Sequence, residues 1–237
     1  MHEHIYKFFQ DLNTTYDPET ISAEYAKGEP TPFYMIDNFL PPWLYNTIIN
    51  SFDDIPEERY KIFANQYSER RECRNFAEAP LLQTLANSFN SKLFVDWLEV
   101  CTGTESLVPD PHFLGGGFCR SSRNTSLGLH TDFNWNNGLK LNRQKNAILY
   151  LNKDWKEEWN GHLEFWNNER TECVKKIAPK PNRLIFWDYG YDLVHGHPEP
   201  IECPQAITRD SLILFYYTSN ATYEHDPRRS QFYEQAD

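Results

Sequence analysis

Long apolar runs are missing from this sequence: no stretch approaches the roughly 20 consecutive apolar residues that a helix needs to cross a bilayer. Nor does "MHEHIYKFFQDLN" place a basic segment ahead of an apolar core, so no secretory leader is expected. Cysteine is sparse and scattered, five residues at 73, 101, 119, 173 and 203 without a CxxC pair. That argues against a zinc ribbon and a disulfide framework and fits reduced thiols in a cytoplasmic protein. Basic residues are outnumbered, 23 Lys and Arg against 34 Asp and Glu, for a net charge of −11. Proteins bind nucleic acid largely by neutralising phosphates with Lys and Arg, so nucleic acid is not an expected partner. No internal repeat and no low-complexity linker divides the chain.

What the chain does have is aromatic side chains, 16% of its 237 residues, and enough apolar residues, 40%, to bury one large core. Residues 1–105 read as a mainly helical support region. "IDNFLPPWLYNTIINSF" runs extended to Pro41 and Pro42 and then spaces Leu44, Ile48, Ile49 and Phe52 as on a helix. "PLLQTLANSFNSKLFVDWLEVCTG" predicts one long amphipathic helix stopped by Gly103. From residue 106 to 220 the texture changes to short aromatic or β-branched strands such as "AILYLN", "HLEFW", "RLIFWDY" and "SLILFYYT", separated by turn residues. Many short strands without intervening helices predict a mainly β fold, a jelly roll, with the N-terminal α-helices as support. Residues 221–237 read as a polar tail on the surface, and the whole as a single domain.

"SLGLHTDFNW" sets His130 and Asp132 two residues apart, which on a strand brings both to one face. "DLVHGHPEP" offers a second histidine, His195 or His197, of which one is expected to turn inward with a metal. Two histidines and a carboxylate form the facial triad of non-haem Fe(II) enzymes, although zinc accepts the same ligand types. In "TRDSLILFYY", Arg209 and Ser211 alternate on a strand, and such a pair can clamp a carboxylate. A buried arginine near a metal needs an anion, which a dicarboxylate co-substrate supplies. His162 reads as structural, and His2, His4, His112 and His225 stand outside this constellation. Phe133, Trp135 and Asn136 are candidates for the site entrance, and Trp166 and Trp187 for strand packing or an aromatic rim.

From "GFCRSS" to "LFYYT" the sequence resembles the Fe(II)/2-oxoglutarate-dependent dioxygenases of the prolyl 4-hydroxylase group, and among them the hypoxia-inducible-factor prolyl hydroxylases. "LYLNKDWKEEWNGHLEFW" and "IAPKPNRLIFWDY" carry the likeness as much as the ligand residues do. The resemblance implies a double-stranded β-helix fold with His130, Asp132 and His195 as iron ligands. It implies Arg209 for the distal carboxylate of 2-oxoglutarate, supported by Ser211 and Tyr150. It also implies Fe(II), 2-oxoglutarate and O2 as reactants, ascorbate as an auxiliary reductant, and hydroxylation of an unactivated C–H bond as the outcome. Two departures stand out. The His195–Arg209 spacing is longer than in the hypoxia-factor enzymes, and Arg120 occupies the place of a tyrosine near the co-substrate. A prolyl residue in a protein or peptide is the first expected substrate. A free amino acid or other small metabolite is the alternative, and a non-catalytic jelly-roll binding module a third reading.

Overall fold

Apolar stripes along the first hundred residues build a helical layer on one side of a sheet. In the computed structural model, which describes residues 1–66, 68–219 and 226–234, the helices are α1 (His2–Gln10), α2 (Leu12–Thr15), α3 (Pro18–Tyr25), α4 (Pro42–Asn50), α5 (Pro80–Phe89) and α6 (Lys92–Thr102). Proline opens α3, α4 and α5, where its missing N–H breaks no helical bond. Gly103 closes α6 in the left-handed conformation, at φ 61°. The single helix expected over residues 80–103 is instead two. Asn90 and Ser91 spend their side chains on backbone carbonyls, Asn90 on Asp110 and Ser91 on Ser88, which competes with continuing the helix. No helix among the described residues is long and apolar enough to cross a membrane.

The described strands are β1 (Phe33–Ile36), β2 (Lys61–Asn65), β3 (Ser68–Cys73), β4 (Val108–Pro109), β5 (Gly117–Ser121), β6 (Leu127–Thr131), β7 (Trp135–Asn136), β8 (Leu141–Tyr150), β9 (Leu163–Trp166), β10 (Cys173–Ile177), β11 (Leu184–Asp188), β12 (Val194–His197), β13 (Arg209–Thr218) and β14 (Gln231–Phe232). One antiparallel layer runs β1-β11-β8-β13-β5-β3 and the other β6-β12-β9-β10. A single pairing, Ser68 with Leu127, joins them. The strand orders β11-β8-β13-β5 and β10-β9-β12-β6 make the two walls of a jelly roll.

Alternation along the strands sorts side chains between two cores. Ala147, Leu149, Phe186, Leu212 and Leu214 face the helices and join Phe9, Phe39, Phe89 and Phe94. Ile148, Tyr150, Ile185 and Trp187 face the opposite way and meet Leu163 and Phe165 of the second wall. Each such fully buried side chain contributes about 1.5–3 kcal/mol of burial free energy. The helices therefore brace the outside of the first wall and leave the space between the walls for chemistry.

Two regions depart from the sequence reading. The support region contains a hairpin, β2 and β3, paired from Lys61–Glu72 to Asn65–Ser68. Its "KIFAN" and "SERREC" lack a buried apolar face, so no hydrophobic alternation announces it. The tail, expected to lie free on the surface, folds back: β14 pairs with β6 at Gln231–Thr131 and Phe232–His130, and the Tyr233 N–H reaches the Leu129 carbonyl. Residues 221–225 and 235–237 of the tail, His225 among them, lie outside the described ones.

Candidate active site

The antiparallel pairing of β6 with β12 sets His130 directly opposite His195, and Asp132 follows where β6 ends. One donor atom from each of the three lies within 4.8 Å of the others, and all three residues are buried. Nε2 of His195 is 3.3 Å from Asp132 Oδ2, and Nε2 of His130 is 3.7 Å from Oδ1. Both imidazoles are fixed from behind: Nδ1 of His130 meets the Gly128 carbonyl at 2.9 Å and Nδ1 of His195 the Leu193 carbonyl at 3.1 Å. A carbonyl accepts only from a protonated nitrogen, so in the neutral form of each ring the lone pair lies on Nε2, the nitrogen turned toward the carboxylate. Burial, with His195 adding, lowers His130 to about 3 against the pull of Asp132. Burial alone would raise Asp132, but Arg143 and His195 override it and hold the carboxyl well below the usual range. A neutral His130 and an ionised Asp132 are protonation states that binding a divalent iron requires.

Arg209, the first residue of β13, enters the same cavity between the walls, which has a volume of about 720 Å³. Its Nε donates to the Gly161 carbonyl at 2.7 Å, and its Nη2 lies 3.4 Å from the Tyr150 hydroxyl. Ser211 is fully buried, and its Oγ has no hydrogen-bond partner among the described residues. A guanidinium with a phenol beside it and an unpartnered hydroxyl two residues along the same strand form a donor set that fits a carboxylate. Ile148, Leu163, Trp187 and Ile213 wall the space between this clamp and the histidines.

Not every residue singled out by sequence is here. Arg120 points out of the cavity, pairing with Asp210 at 3.0 Å and covering Phe52, while its neighbours Cys119 and Ser121 line the inside. Asn136 turns away to Asp110, so of the three residues after the HxD only Phe133 and Trp135 reach the mouth. Trp187 lines the cavity, whereas Trp166 binds Glu164 beside it. His162 is buried outside the lining. His195 alone joins the donor cluster, yet His197 faces the same cavity, as the two-residue period of a strand requires.

Several lining residues went unread in the sequence. Arg143 donates to Asp132 Oδ2 at 2.8 Å from a buried position on β8. Arg70 and Arg74 of the hairpin region share Glu72 at the mouth. Phe232, from the returning tail, stacks on His130 with centroids 5.0 Å apart. Their signals are weak because each becomes functional only through a contact with a distant segment.

Residues 116–217 match the family described as the 2OG-Fe(II) oxygenase superfamily. Among solved structures, the chain resembles a prolyl hydroxylase from Trichoplax adhaerens in complex with a hypoxia-inducible-factor peptide, at 16% identity and a TM-score of 0.62, covering 86% of this chain and 92% of that one. It also resembles a prolyl-4-hydroxylase from Pseudomonas putida, at 17% identity and a TM-score of 0.54, over 84% of this chain and 100% of that one. HygX from Streptomyces hygroscopicus, with nickel and 2-oxoglutarate bound, matches at 12% identity and a TM-score of 0.54, over 84% and 87%. No curated protein matches the chain.

Proposed function

The chain carries a 2OG-Fe(II) oxygenase domain with the fold of the prolyl hydroxylases, and from that premise we propose that it hydroxylates an unactivated C–H bond, first of all in a prolyl residue of a protein or peptide. The observation that carries this reading is the meeting, in one cavity, of a His-Asp-His donor cluster with a buried Arg209, while Ser211, two residues along the same strand, is left without a hydrogen-bond partner among the described residues.

In this reading His130, Asp132 and His195 hold iron, and Arg209, Ser211 and Tyr150 hold the distal carboxylate of 2-oxoglutarate. Iron with 2-oxoglutarate supplies the oxidising chemistry: one oxygen atom of O2 enters the substrate C–H bond and the other accompanies decarboxylation to succinate and CO2. The protein supplies position. The Gly128 and Leu193 carbonyls fix the tautomers of the two histidines, and Arg143 orients the Asp132 carboxylate. Arg209 sets how far the co-substrate reaches toward the histidines, while the aliphatic and indole walls keep water from its chain.

Phe63 and Leu114 join Phe133 and Trp135 at the mouth, an apolar rim suited to a pyrrolidine ring or a peptide. A small-molecule substrate is the second reading. It is favoured by a cavity of about 720 Å³, within the range of small-ligand sites, and by likeness to HygX, which has been seen with hygromycin B bound. The test is incubation with Fe(II), 2-oxoglutarate and pools of prolyl peptides, amino acids and small metabolites. The expected result is succinate release matched by a mass gain of one oxygen in a prolyl peptide. A gain only among small molecules selects the second reading. Neither oxygen uptake nor succinate with any pool leaves a binding module.

A further inference from the structure

His197 is a buried polar side chain of the cavity to which the preceding reading gives no task. It follows His195 by two residues on β12, so both rings face inward. The pairing opposite them is irregular: His195 pairs with His130, but His197 pairs with Leu127, so β6 carries one extra residue, a bulge. Bulges beside active sites re-aim side chains. Gly196 allows the tight approach, since a Cβ there would lie 2.7 Å from the Leu127 carbonyl oxygen and 2.8 Å from that of Gly128. The ring is held in turn by the Leu127 N–H, which donates to its Nδ1 at 3.2 Å.

That hydrogen bond decides what the other nitrogen does. A ring nitrogen that accepts carries no proton, so the neutral ring bears its proton on Nε2. With Nδ1 occupied and Nε2 protonated, the ring has no lone pair for a metal, and His197 stands outside the donor cluster. It is instead a buried N–H donor lining the same cavity as Arg209, and buried donors take acceptors.

We propose that His197 is a co-substrate-binding residue, its Nε2–H donating to the distal carboxylate of 2-oxoglutarate alongside Arg209. This rests on the oxygenase reading above.

The test is calorimetric titration of the Mn(II)-loaded, oxygen-free protein with 2-oxoglutarate and, separately, with pyruvate, a 2-oxo acid without the distal carboxylate. His197→Leu is expected to weaken 2-oxoglutarate roughly 10- to 100-fold, the scale of one hydrogen bond to a charged group. His197→Gln, which restores a donor, is expected to recover part of that loss. Pyruvate and Mn(II) affinities are expected to stay at the wild-type level. Unchanged 2-oxoglutarate affinity in His197→Leu, or an equal loss for pyruvate, overturns the assignment. If His197→Leu fails to fold, His197→Asn, polar but shorter, carries the same comparison against His197→Gln. Wild-type protein that binds no 2-oxoglutarate overturns the oxygenase reading itself, a different failure.

Discussion

Arg143 grips Asp132 from inside a sandwich of two aromatic rings. Its Nη2 lies 2.8 Å from Asp132 Oδ2, and its guanidinium carbon is 4.6 Å from the Phe133 centroid and 3.5 Å from that of Phe215. Nε is spent on Asn146 at 2.7 Å, so the fork is fixed on three sides. Groups that orient a ligand carboxylate typically contribute 10- to 100-fold to metal affinity, and Arg143→Met is expected to lose about that much in a Mn(II) titration. The same change leaves Asp132 as an uncompensated buried charge, so the metal-free variant is expected to be about 3–5 kcal/mol less stable in urea. Wild-type metal affinity in a folded Arg143→Met would reduce Arg143 to packing.

The buried histidines make the metal-free protein sensitive to acid. His130 falls from a usual 6.5 to about 3, and His197 is also pushed well below 6.5. Between those limits the unfolded chain binds protons that the folded chain refuses, so stability is full above pH 6.5 and declines as pH falls. The slope is about 1.4 kcal/mol per pH unit for each such histidine. Urea midpoints of metal-free protein at pH 7, 6 and 5 measure it, and His197→Gln is expected to remove one histidine's share. Flat stability from pH 6.5 to 5 contradicts the buried, neutral state of both rings.

Arg209 and the metal donors can be separated by kinetics. Arg209→Ala removes a charged hydrogen-bond donor from the co-substrate end and is expected to raise the 2-oxoglutarate requirement roughly 10- to 100-fold, while Mn(II) binding is largely kept. Arg209→Lys keeps the charge but loses the planar fork and is expected to fall between. His130→Ala is expected to abolish metal binding and turnover together. A variant of Arg209 with unchanged co-substrate dependence would remove that residue from the site.

These residues differ in how readable they are from sequence, and the reason is range. His130 and Asp132 announce themselves because strand geometry alone puts i and i+2 on one face, and Arg209 with Ser211 repeats the pattern. The jelly-roll strands are legible for the same local reason, as alternation such as Ala147–Ile148–Leu149–Tyr150 serves two cores. Arg143 reads as one more charge on a strand until the fold brings Asp132 to it. The β2–β3 hairpin has no apolar face to betray it, and the break at Asn90–Ser91 depends on side chains finding carbonyls, Asp110 among them, that helical periodicity ignores.

Gly161 is another residue whose importance appears only in three dimensions. It sits at φ 69°, its carbonyl accepts from Arg209 Nε, and a Cβ at this position would lie 2.9 Å from Arg209 Cδ. Gly161→Ala therefore combines left-handed strain, about 1–2 kcal/mol, with displacement of the guanidinium. The expected signature is weaker 2-oxoglutarate binding with Mn(II) affinity intact, a split that a general loss of stability does not produce. Equal losses of both affinities would assign Gly161 to folding alone.

The returning tail offers a way to perturb the metal donors without touching them. Phe232 lies opposite His130 in the β14–β6 pairing and stacks on its ring at an interplanar angle of 23°. The tail is tied beside it by the Phe133 N–H on Ser230 Oγ at 3.0 Å and the Arg228 N–H on Asn134 Oδ1 at 2.7 Å. Phe232→Ala removes one ring contact, worth about 0.5–1.5 kcal/mol, and opens the outer face of His130 to water. It is expected to weaken Mn(II) binding severalfold, whereas Phe232→Tyr keeps the stack and the affinity. Cutting the chain before residue 226 removes all the described anchors at once and is expected to weaken binding further than Phe232→Ala. Wild-type Mn(II) affinity in the truncated protein would show that the tail only covers the site and does not hold His130 in place.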